Sequence, residues 1–280
     1  MSMSVNTNLF SLNAQRNLSK SQSSLSTSMQ RLSSGLRINS AADDAAGLAI
    51  SERMNSQVRG MNVAIRNAND AISLAQTADG ALASVGDSLQ RMRELAVQAA
   101  NATNSGSDKD SLNQEFQQLG SEITRVLGGT TFNGATILGA SAGALTFQVG
   151  ANTTTNDSIT VTTTNMTTDP SITAVTGAVI DSTVTTTAAI NTVIDNIDAA
   201  INDVNSQRAI FGASQNRFNA VVSNLQSSVE NQSAARSRIT DADFAAETAN
   251  MSRSQILQQA GTAMVAQANQ LPQSVLKLLQ

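Results

Sequence analysis

Two pairs of neighbouring aspartates have the side chains and spacing that chemistry often requires: Asp43 with Asp44, and Asp241 with Asp243. Adjacent carboxylates can bind a divalent cation or act as a general acid and base. Aspartates are equally typical of the first turn of a helix, where the helix dipole stabilises negative charge. Ser40 precedes Asp43 by three residues, which is the spacing of a capping box. We therefore interpret both pairs as first turns of helices rather than as a metal or acid–base site.

The composition removes most other catalytic options. The 280 residues include no His, Cys, Trp or Tyr. The chain thus lacks the commonest general base and metal ligand, and it has no thiolate nucleophile. No Gly-rich segment is followed by the Lys-Ser or Lys-Thr of a phosphate-binding loop. The sequence therefore predicts a protein that is not an enzyme and that uses no cofactor and no metal ion.

The charges and apolar runs limit the partners. Net charge is −4 with both signs interspersed, whereas nucleic-acid binding needs clustered Lys and Arg, so we expect no nucleic-acid partner. No run of about 20 apolar residues is present, so we expect no membrane insertion. The N-terminal residues lack the basic and apolar regions of a cleavable signal peptide, so secretion needs another route.

Charged residues crowd the segment 90–98, opposite Leu89, Met92 and Ala96. This arrangement is typical of a solvent-exposed helix face with local ion pairs. It also suits a contact surface for another subunit or a receptor. Spacing alone favours the solvent-exposed face.

Apolar and small residues that alternate at intervals of four and three predict helices along most of the chain. These helices cover residues 5–35, about 43–103, 108–127, and the stretches that begin near 186 and after 240. The first and last helices each carry a row of apolar and small residues along one face, which we call a terminal seam. The two terminal seams contain Leu18, Leu25, Leu32, Leu257, Met264, Leu271, Val275 and Leu278. Small residues (Ala14, Ser21 and Ser28) occupy half of the N-terminal seam, so this helix is marginal in water without a partner.

The middle of the chain has a different pattern. Asn133-Gly134 separates two strand-like segments, and residues 145–149 and 158–162 alternate with period two. We predict a mainly α fold with a small β-rich tip. The N- and C-terminal segments pair as a long antiparallel coiled coil or bundle, and β-hairpins occupy the middle.

Several motifs resemble those of bacterial flagellin. The N-terminal motif spans residues 30–50, and its central run is Leu36-Arg37-Ile38-Asn39-Ser40-Ala41-Ala42-Asp43-Asp44. The C-terminal motif includes Arg238-Ile239-Thr240-Asp241-Ala242-Asp243-Phe244, and the tail 274–279 completes the match. The resemblance covers about 1–140 and 186–280. The chain is short, so we expect the family's extra outer domains to be missing or reduced to loops of 140–180.

The resemblance implies a division into domains. Residues 1–40 and 245–280 would form a terminal coiled-coil domain in the filament core. Residues 41–140 and 180–244 would form a helical spoke domain. Residues 141–179 would form a Thr-rich, exposed segment of β-strands and loops.

The resemblance also implies a function, that of a structural subunit that polymerises into the extracellular filament of the flagellum for swimming motility. The subunit would be exported unfolded through the type III apparatus and assembled at the filament tip. The expected partners are further copies of the chain in a homopolymer, an export chaperone, the cap, and the hook–filament junction proteins.

A receptor surface follows from the same resemblance. Arg91 and Leu95 match positions of the family's epitope for Toll-like receptor 5, and Glu115 matches its acidic partner on the next helix. The residues expected in receptor recognition and subunit contact are Gln90, Arg91, Arg93, Glu94, Leu95, Gln98 and Glu115.

Two alternatives share part of the pattern. A hook–filament junction protein of the same superfamily has similar terminal helices, but the run 36–44 and the full C-terminal motif favour flagellin. A signalling coiled coil would need a transmembrane segment or a link to one, which the sequence lacks.

Overall fold

The computed structural model describes residues 7–184 and 186–278, with side chains up to residue 270. Its helices are α1 Leu9–Ser34, α2 Ala45–Ala99, α3 Gly106–Gly129, α4 Pro170–Thr176, α5 Thr187–Thr240 and α6 Phe244–Leu278. Its strands are β1 Thr131–Phe132, β2 Ala135–Thr136, β3 Ala144–Gln148 and β4 Ser158–Thr162. The prediction of a mainly α fold with long helices and antiparallel hairpins in the middle is confirmed.

The chain divides into two compact units. Unit 1 contains Met1–Ser56 and Asn231–Gln280, and unit 2 contains Gln57–Glu230. The three-part division implied by the resemblance stays a prediction.

In unit 1, α1 and α6 pack against each other in antiparallel directions. The Asn8 side chain donates a hydrogen bond to the Ala268 carbonyl oxygen (2.7 Å). Gly261 faces Leu18 so closely that a β-carbon at Gly261 would lie 3.1 Å from Leu18 Cδ1. Arg31 lies 4.0 Å from the Glu247 carboxylate. Residue numbers rise along α1 as they fall along α6, which is the predicted antiparallel pairing of the chain ends.

The ends of these helices follow the local sequence. Asn8 caps α1 by accepting a hydrogen bond from the Ser11 backbone N–H (3.1 Å). Gly35 ends α1 with a φ of 71°, a left-handed conformation that Gly adopts without a steric penalty. Asp243 accepts from the backbone N–H groups of Ala245 (2.9 Å) and Ala246 (3.2 Å) at the start of α6.

The placement of the aspartates in first helical turns was wrong. Asp44 lies immediately before α2 and accepts from the Gly47 backbone N–H (2.8 Å), while Asp43 accepts from the backbone N–H of Ser40 (2.8 Å). Asp241 and Asp243 likewise precede α6. For Asp44 and Asp243 the cause is that a short Asp side chain satisfies unpaired N–H groups best from a capping position just outside the helix. Asp241 instead accepts from the hydroxyls of Ser237 and Thr240.

The segments before α2 and α6 also pair with each other. The Arg37 backbone N–H donates to the Thr240 carbonyl (2.7 Å), and the Ala242 N–H donates to the Gly35 carbonyl (2.9 Å). The Arg37 guanidinium donates two hydrogen bonds to the Ile239 carbonyl (2.6 and 3.2 Å). Carbonyls near the C-terminus of α5 thus gain partners that the helix itself cannot supply.

In unit 2, α2, α3 and α5 surround the apolar core. Its largest fully buried side chains include Leu82, Leu89, Met92, Leu95, Phe116, Ile123, Phe211 and Phe218. Ser105 and Asp108 form a capping box that starts α3.

The two hairpins adjoin this core. Asn133 and Gly134 connect β1 to β2 with φ values of 50° and 82°, as a two-residue hairpin turn with both central φ values positive requires. β3 and β4 pair antiparallel with Phe147 opposite Ile159. The Phe147 ring meets Phe218 of α5 edge to face at a centroid distance of 5.7 Å.

The segment 141–179 differs from the exposed segment that we expected. Six of its apolar side chains are buried in the core of unit 2: Val149, Ile159, Val161, Met166, Ile172 and Val175. It also contains the helix α4, which Asp169 caps. α4 packs on α3, where Gly120 lies beside Thr176. The Thr-rich composition obscured the sparse apolar residues that hold this segment against the helices.

Candidate interaction surfaces

The predicted receptor residues of α2 and α3 meet through Arg91. Its guanidinium donates to both carboxylate oxygens of Glu115 on α3 (2.8 and 3.3 Å) and to Glu94 one turn away (2.8 Å). All three side chains are exposed. Glu115, and then Glu94, raise the pKa of Arg91 above its already high usual value. The result is a positioned cluster of one guanidinium and two carboxylates at the surface of unit 2.

Arg93 pairs with a different helix. Its guanidinium donates two hydrogen bonds to Asp198 on α5 (2.6 and 3.2 Å). This pairing raises the pKa of Arg93 and is the main cause that lowers the pKa of Asp198. Sequence reasoning missed Asp198. The predicted antiparallel pairing of the N- and C-terminal segments could have indicated that a residue of α5 lies opposite Arg93.

Leu95 does not lie at the exposed surface, where we expected it to take part in receptor recognition. Its side chain is 1% exposed and belongs to the core of unit 2. Gln90 and Gln98 are exposed. The structure therefore places six of the seven predicted residues at the surface and buries Leu95 in the core of unit 2.

The terminal seam residues fall into three groups. Leu18, Leu25 and Leu32 of α1 are half-buried. Leu257 and Met264 of α6 are 50% and 59% exposed. Leu271, Val275 and Leu278 lie in α6, but their side chains are outside the described residues.

An apolar groove runs between α1 and α6. Its volume is about 580 Å³. The apolar residues and glycine that line it are Phe10, Ala14, Leu18, Leu257, Ala260, Gly261, Met264 and Ala268. Asn and Ser side chains occur on the α1 wall, and Gln267 on the α6 wall. The groove is thus mainly apolar and open to solvent.

Buried and exposed apolar residues are distributed unequally between the units. Among the described side chains, 35 apolar residues are buried, and only Ile38 and Ala268 of these belong to unit 1. Of the 14 large apolar side chains that are exposed, 10 belong to unit 1. Several of the buried positions in unit 1 are instead polar: Ser11, Ser28, Ser51, Glu247 and Ser254. Among its described residues, unit 1 therefore exposes more large apolar side chains than it buries.

The aspartates do not form a metal centre. Within residues 7–184 and 186–278, no group of three or more His, Cys, Asp or Glu side chains is placed to hold an ion. Asp43, Asp44 and Asp243 accept hydrogen bonds from backbone N–H groups, as described above. No helix in the same part of the chain combines the length and the hydropathy needed to cross a bilayer.

The chain matches two family descriptions. Residues 5–142 match the bacterial flagellin N-terminal helical region, and residues 194–279 match the bacterial flagellin C-terminal helical region. A flagellin from Halalkalibacterium halodurans is 46% identical over 277 residues, covering 99% of this chain and all of the relative. A Bacillus subtilis flagellin is 42% identical over 303 residues, with 99% and 100% of the two chains covered.

Longer relatives match over their whole length as well. Flagellin A of Vibrio cholerae is 37% identical over an alignment of 381 positions that covers all of both chains. That alignment exceeds the 280 residues of this chain, so the Vibrio protein contains segments that this chain lacks. A putative flagellar hook-associated protein from Vibrio parahaemolyticus has a similar fold, with a TM-score of 0.58 at 12% identity over 71% of this chain and all of that one.

Proposed function

Since the chain belongs to the bacterial flagellin family, we propose that it polymerises through the exposed apolar faces of unit 1. Flagellins are the structural subunits of the extracellular flagellar filament used for motility, and they are not enzymes. The open question is how this particular chain assembles.

The observation that supports the proposal is the apolar surface of α1 and α6. Covering apolar surface is favourable by roughly 25 cal/mol for each Å² removed from water. Only other copies of the chain offer matching faces in the number that a filament needs. A contact between two different faces that does not close into a ring produces an open helix of subunits.

The proposed polymerisation also assigns a role to each domain and to the residues of the terminal seams. Residues 1–40 and 245–280 form the filament-core domain, 41–140 and 180–244 the spoke domain, and 141–179 a separate segment beside it. The terminal seams supply the contacts between copies: Leu18, Leu25, Leu32, Leu257, Met264, Leu271, Val275 and Leu278.

Export precedes assembly in this proposal. The chain leaves the cell unfolded through the type III apparatus and joins the filament at its tip. A chaperone for export, the cap, and the hook–filament junction proteins are its partners. The small number of buried apolar residues in unit 1 supports this route for the terminal helices only, because the packed core of unit 2 must be absent or unfolded during export.

The Arg91 cluster is the proposed contact for Toll-like receptor 5 and for neighbouring subunits. Its support is the exposure of Arg91, Glu94 and Glu115 and the hydrogen bonds that fix their positions. Gln90, Arg93 and Gln98 complete the exposed set. Leu95 acts here through packing beneath the surface.

Seeded polymerisation of the purified chain tests the proposal, with sedimentation and negative-stain electron microscopy as readouts. The full chain should form long filaments, and a truncation lacking 1–40 and 250–280 should form none. A full chain that stays soluble with seeds would contradict polymerisation and favour a hook–filament junction protein.

A pair of point variants sharpens this test. Leu257→Asp places a charge in the groove of unit 1, and Ile210→Asp places one on the surface of unit 2, at side chains 50% and 42% exposed. Only Leu257→Asp should prevent assembly. Equal loss in both variants would show that general surface charge, and not the groove, controls polymerisation.

A further inference from the structure

Methionine is the residue type through which this chain can react with a peroxide. The sequence has nine Met and no Cys, Trp, Tyr or His. A thioether is readily oxidised to a sulfoxide when it is accessible. Differences in exposure between the methionines therefore determine where an oxidant acts.

The described methionines differ strongly in exposure. Met264 is 59% exposed and Met29 is 49% exposed. Met61, Met92 and Met166 are buried in unit 2. An oxidant in solution thus reaches Met264 and Met29 without any opening of the core.

Of the two exposed methionines in the described part of the chain, only Met264 lies in the groove. Met264 lines it together with Leu18, Leu257 and Gly261, whereas Met29 is not among the lining residues. Gly261 marks the close approach of α6 to Leu18 of α1, and Met264 follows it by three residues. Met264 thus lies on α6 beside the point where Gly261 approaches Leu18.

We propose that Met264 is an oxidative modification site, and that a peroxide-class oxidant acting on it blocks assembly of the subunit. This proposal rests on the proposed function, because it needs the groove to be covered by another copy. The sulfur lone pair attacks one peroxide oxygen, a sulfur–oxygen bond forms, and the oxygen–oxygen bond breaks. With hydrogen peroxide, the thioether is oxidised by two electrons to the sulfoxide, and the proton of the transferred oxygen passes to the remaining peroxide oxygen, which leaves as water.

The consequence follows from polarity. A sulfoxide carries a strong acceptor oxygen, and the groove around Met264 is mainly apolar. Covering that oxygen without a hydrogen bond carries a desolvation cost that the thioether does not have. The concentration needed for assembly should therefore rise by roughly tenfold or more. In the assembled state the same cover excludes the oxidant, so the site is sensitive in the free subunit and protected in the filament.

Parallel peroxide treatment of three proteins tests the proposal: the unchanged chain, Met264→Leu and Met29→Leu. Leu keeps the approximate volume and apolar character of Met and removes the oxidisable sulfur. Peptide mass spectrometry measures sulfoxide at each methionine, and seeded sedimentation measures the concentration needed for assembly. A methionine sulfoxide reductase with a thiol reductant is then added to reverse the modification.

In the free chain, Met264 and Met29 should be oxidised before Met92 and Met166. The treated chain and treated Met29→Leu should need roughly tenfold more protein to assemble, and the reductase should restore them. Treated Met264→Leu should assemble as it does untreated.

Three results would overturn the proposal. The first is normal assembly of a chain carrying sulfoxide at Met264. The second is inactivation of Met264→Leu to the same extent as the unchanged chain. The third is oxidation of Met92 ahead of Met264 in the free chain. Failure of the untreated chain to assemble is seen before peroxide is added, and it contradicts the proposed function itself.

Discussion

Arg91 and Leu95 are one helical turn apart on α2, yet their side chains are in opposite environments. Arg91 forms exposed ion pairs, whereas Leu95 is 1% exposed in the core of unit 2. Removing the Leu95 side chain leaves a cavity, which costs about 2–5 kcal/mol of unfolding free energy. A receptor assay on Leu95→Ala therefore measures loss of packing together with any loss of contact.

Arg91→Ala is the cleaner variant for the receptor surface. It removes the hydrogen bonds to Glu115 and Glu94, and we expect weaker Toll-like receptor 5 signalling with little change in thermal stability. Exposed ion pairs contribute little to stability, which is why folding should persist.

Arg125→Ala is the matched control for this experiment. Arg125 is an exposed arginine of unit 2 that pairs with Glu122 on α3 (2.6 Å), and it lies outside the predicted receptor residues. Its signalling should equal that of the unchanged chain. Full signalling by folded Arg91→Ala would remove Arg91 from the receptor surface.

The capping box of Ser105 and Asp108 should make the stability of the protein depend on pH. The Ser105 hydroxyl donates to the Asp108 carboxylate (2.6 Å), and the Ser105 backbone N–H donates as well (2.9 Å). The hydroxyl is the larger cause that lowers the pKa of Asp108. Because the pKa in the folded state is below the unfolded value of about 3.9, the stabilisation is present above that value. It is lost as the pH falls through the folded pKa.

Ser105→Ala should raise the pKa of Asp108 towards its usual value. Titration of the Asp108 carboxyl carbon by NMR measures the midpoint in both proteins. A midpoint that does not move on substitution would show that the backbone N–H alone lowers the pKa.

At the scale of elements, the positions of the long helices were predictable because their apolar spacing is local. α1 and α3 end within a few residues of the expected positions, and the Asn133-Gly134 turn lies where the dipeptide indicates. The buried faces of β4 and α4 were not predictable. Alternation shows that Ile159 and Val161 share one face of a strand, but only the neighbouring helices decide whether that face is covered.

The same limit applies to the candidate surfaces. The sequence indicates charges at Arg93 and Asp198, but 105 residues separate them, and their contact depends on the pairing of α2 with α5. The burial of Leu95 likewise depends on neighbouring helices that no local pattern reveals. Capping positions such as Asp44 were misplaced by one or two residues because helix termini are the least sharply encoded part of a helix.

Asp79 interrupts the apolar spacing of α2, and the structure supplies the reason. Arg208 of α5 donates a hydrogen bond to its carboxylate (2.8 Å), and both side chains are partly exposed. A polar pair at one level of an apolar seam favours a single register of the two helices.

Reversal of this pair tests its role in the register. Arg208→Asp places two carboxylates together and should lower the melting temperature, whereas Asp79→Arg combined with Arg208→Asp should recover most of the loss. The coupling in a double-mutant cycle should be about 0.2–1 kcal/mol, as for exposed pairs. Additive effects of the two substitutions would show that the charges act independently.

At the scale of the whole molecule, the two units differ in what stabilises them. Unit 2 contains nearly all of the buried apolar side chains, including Phe116, Phe211 and Phe218. Unit 1 has Ser at several of its buried positions, and ten of its described large apolar side chains are exposed. Since buried apolar area is the main source of folding free energy, unit 1 alone should be much less stable than unit 2.

Hydrogen exchange in the free chain and in the filament distinguishes these contributions. In the free chain, amides of α1 and α6 should exchange through low-energy opening, while core amides of α2, α3 and α5 within unit 2 exchange only at much higher cost. Assembly covers the apolar faces of unit 1, so α1 and α6 should become protected in the filament, by a larger factor than the unit 2 core.

Leu257→Asp, held in the unassembled state with seeds present, is the control in which α1 and α6 should stay unprotected. Equal protection of both units in the free chain would mean that unit 1 is stable without partners, and the apolar faces of α1 and α6 would then need another explanation.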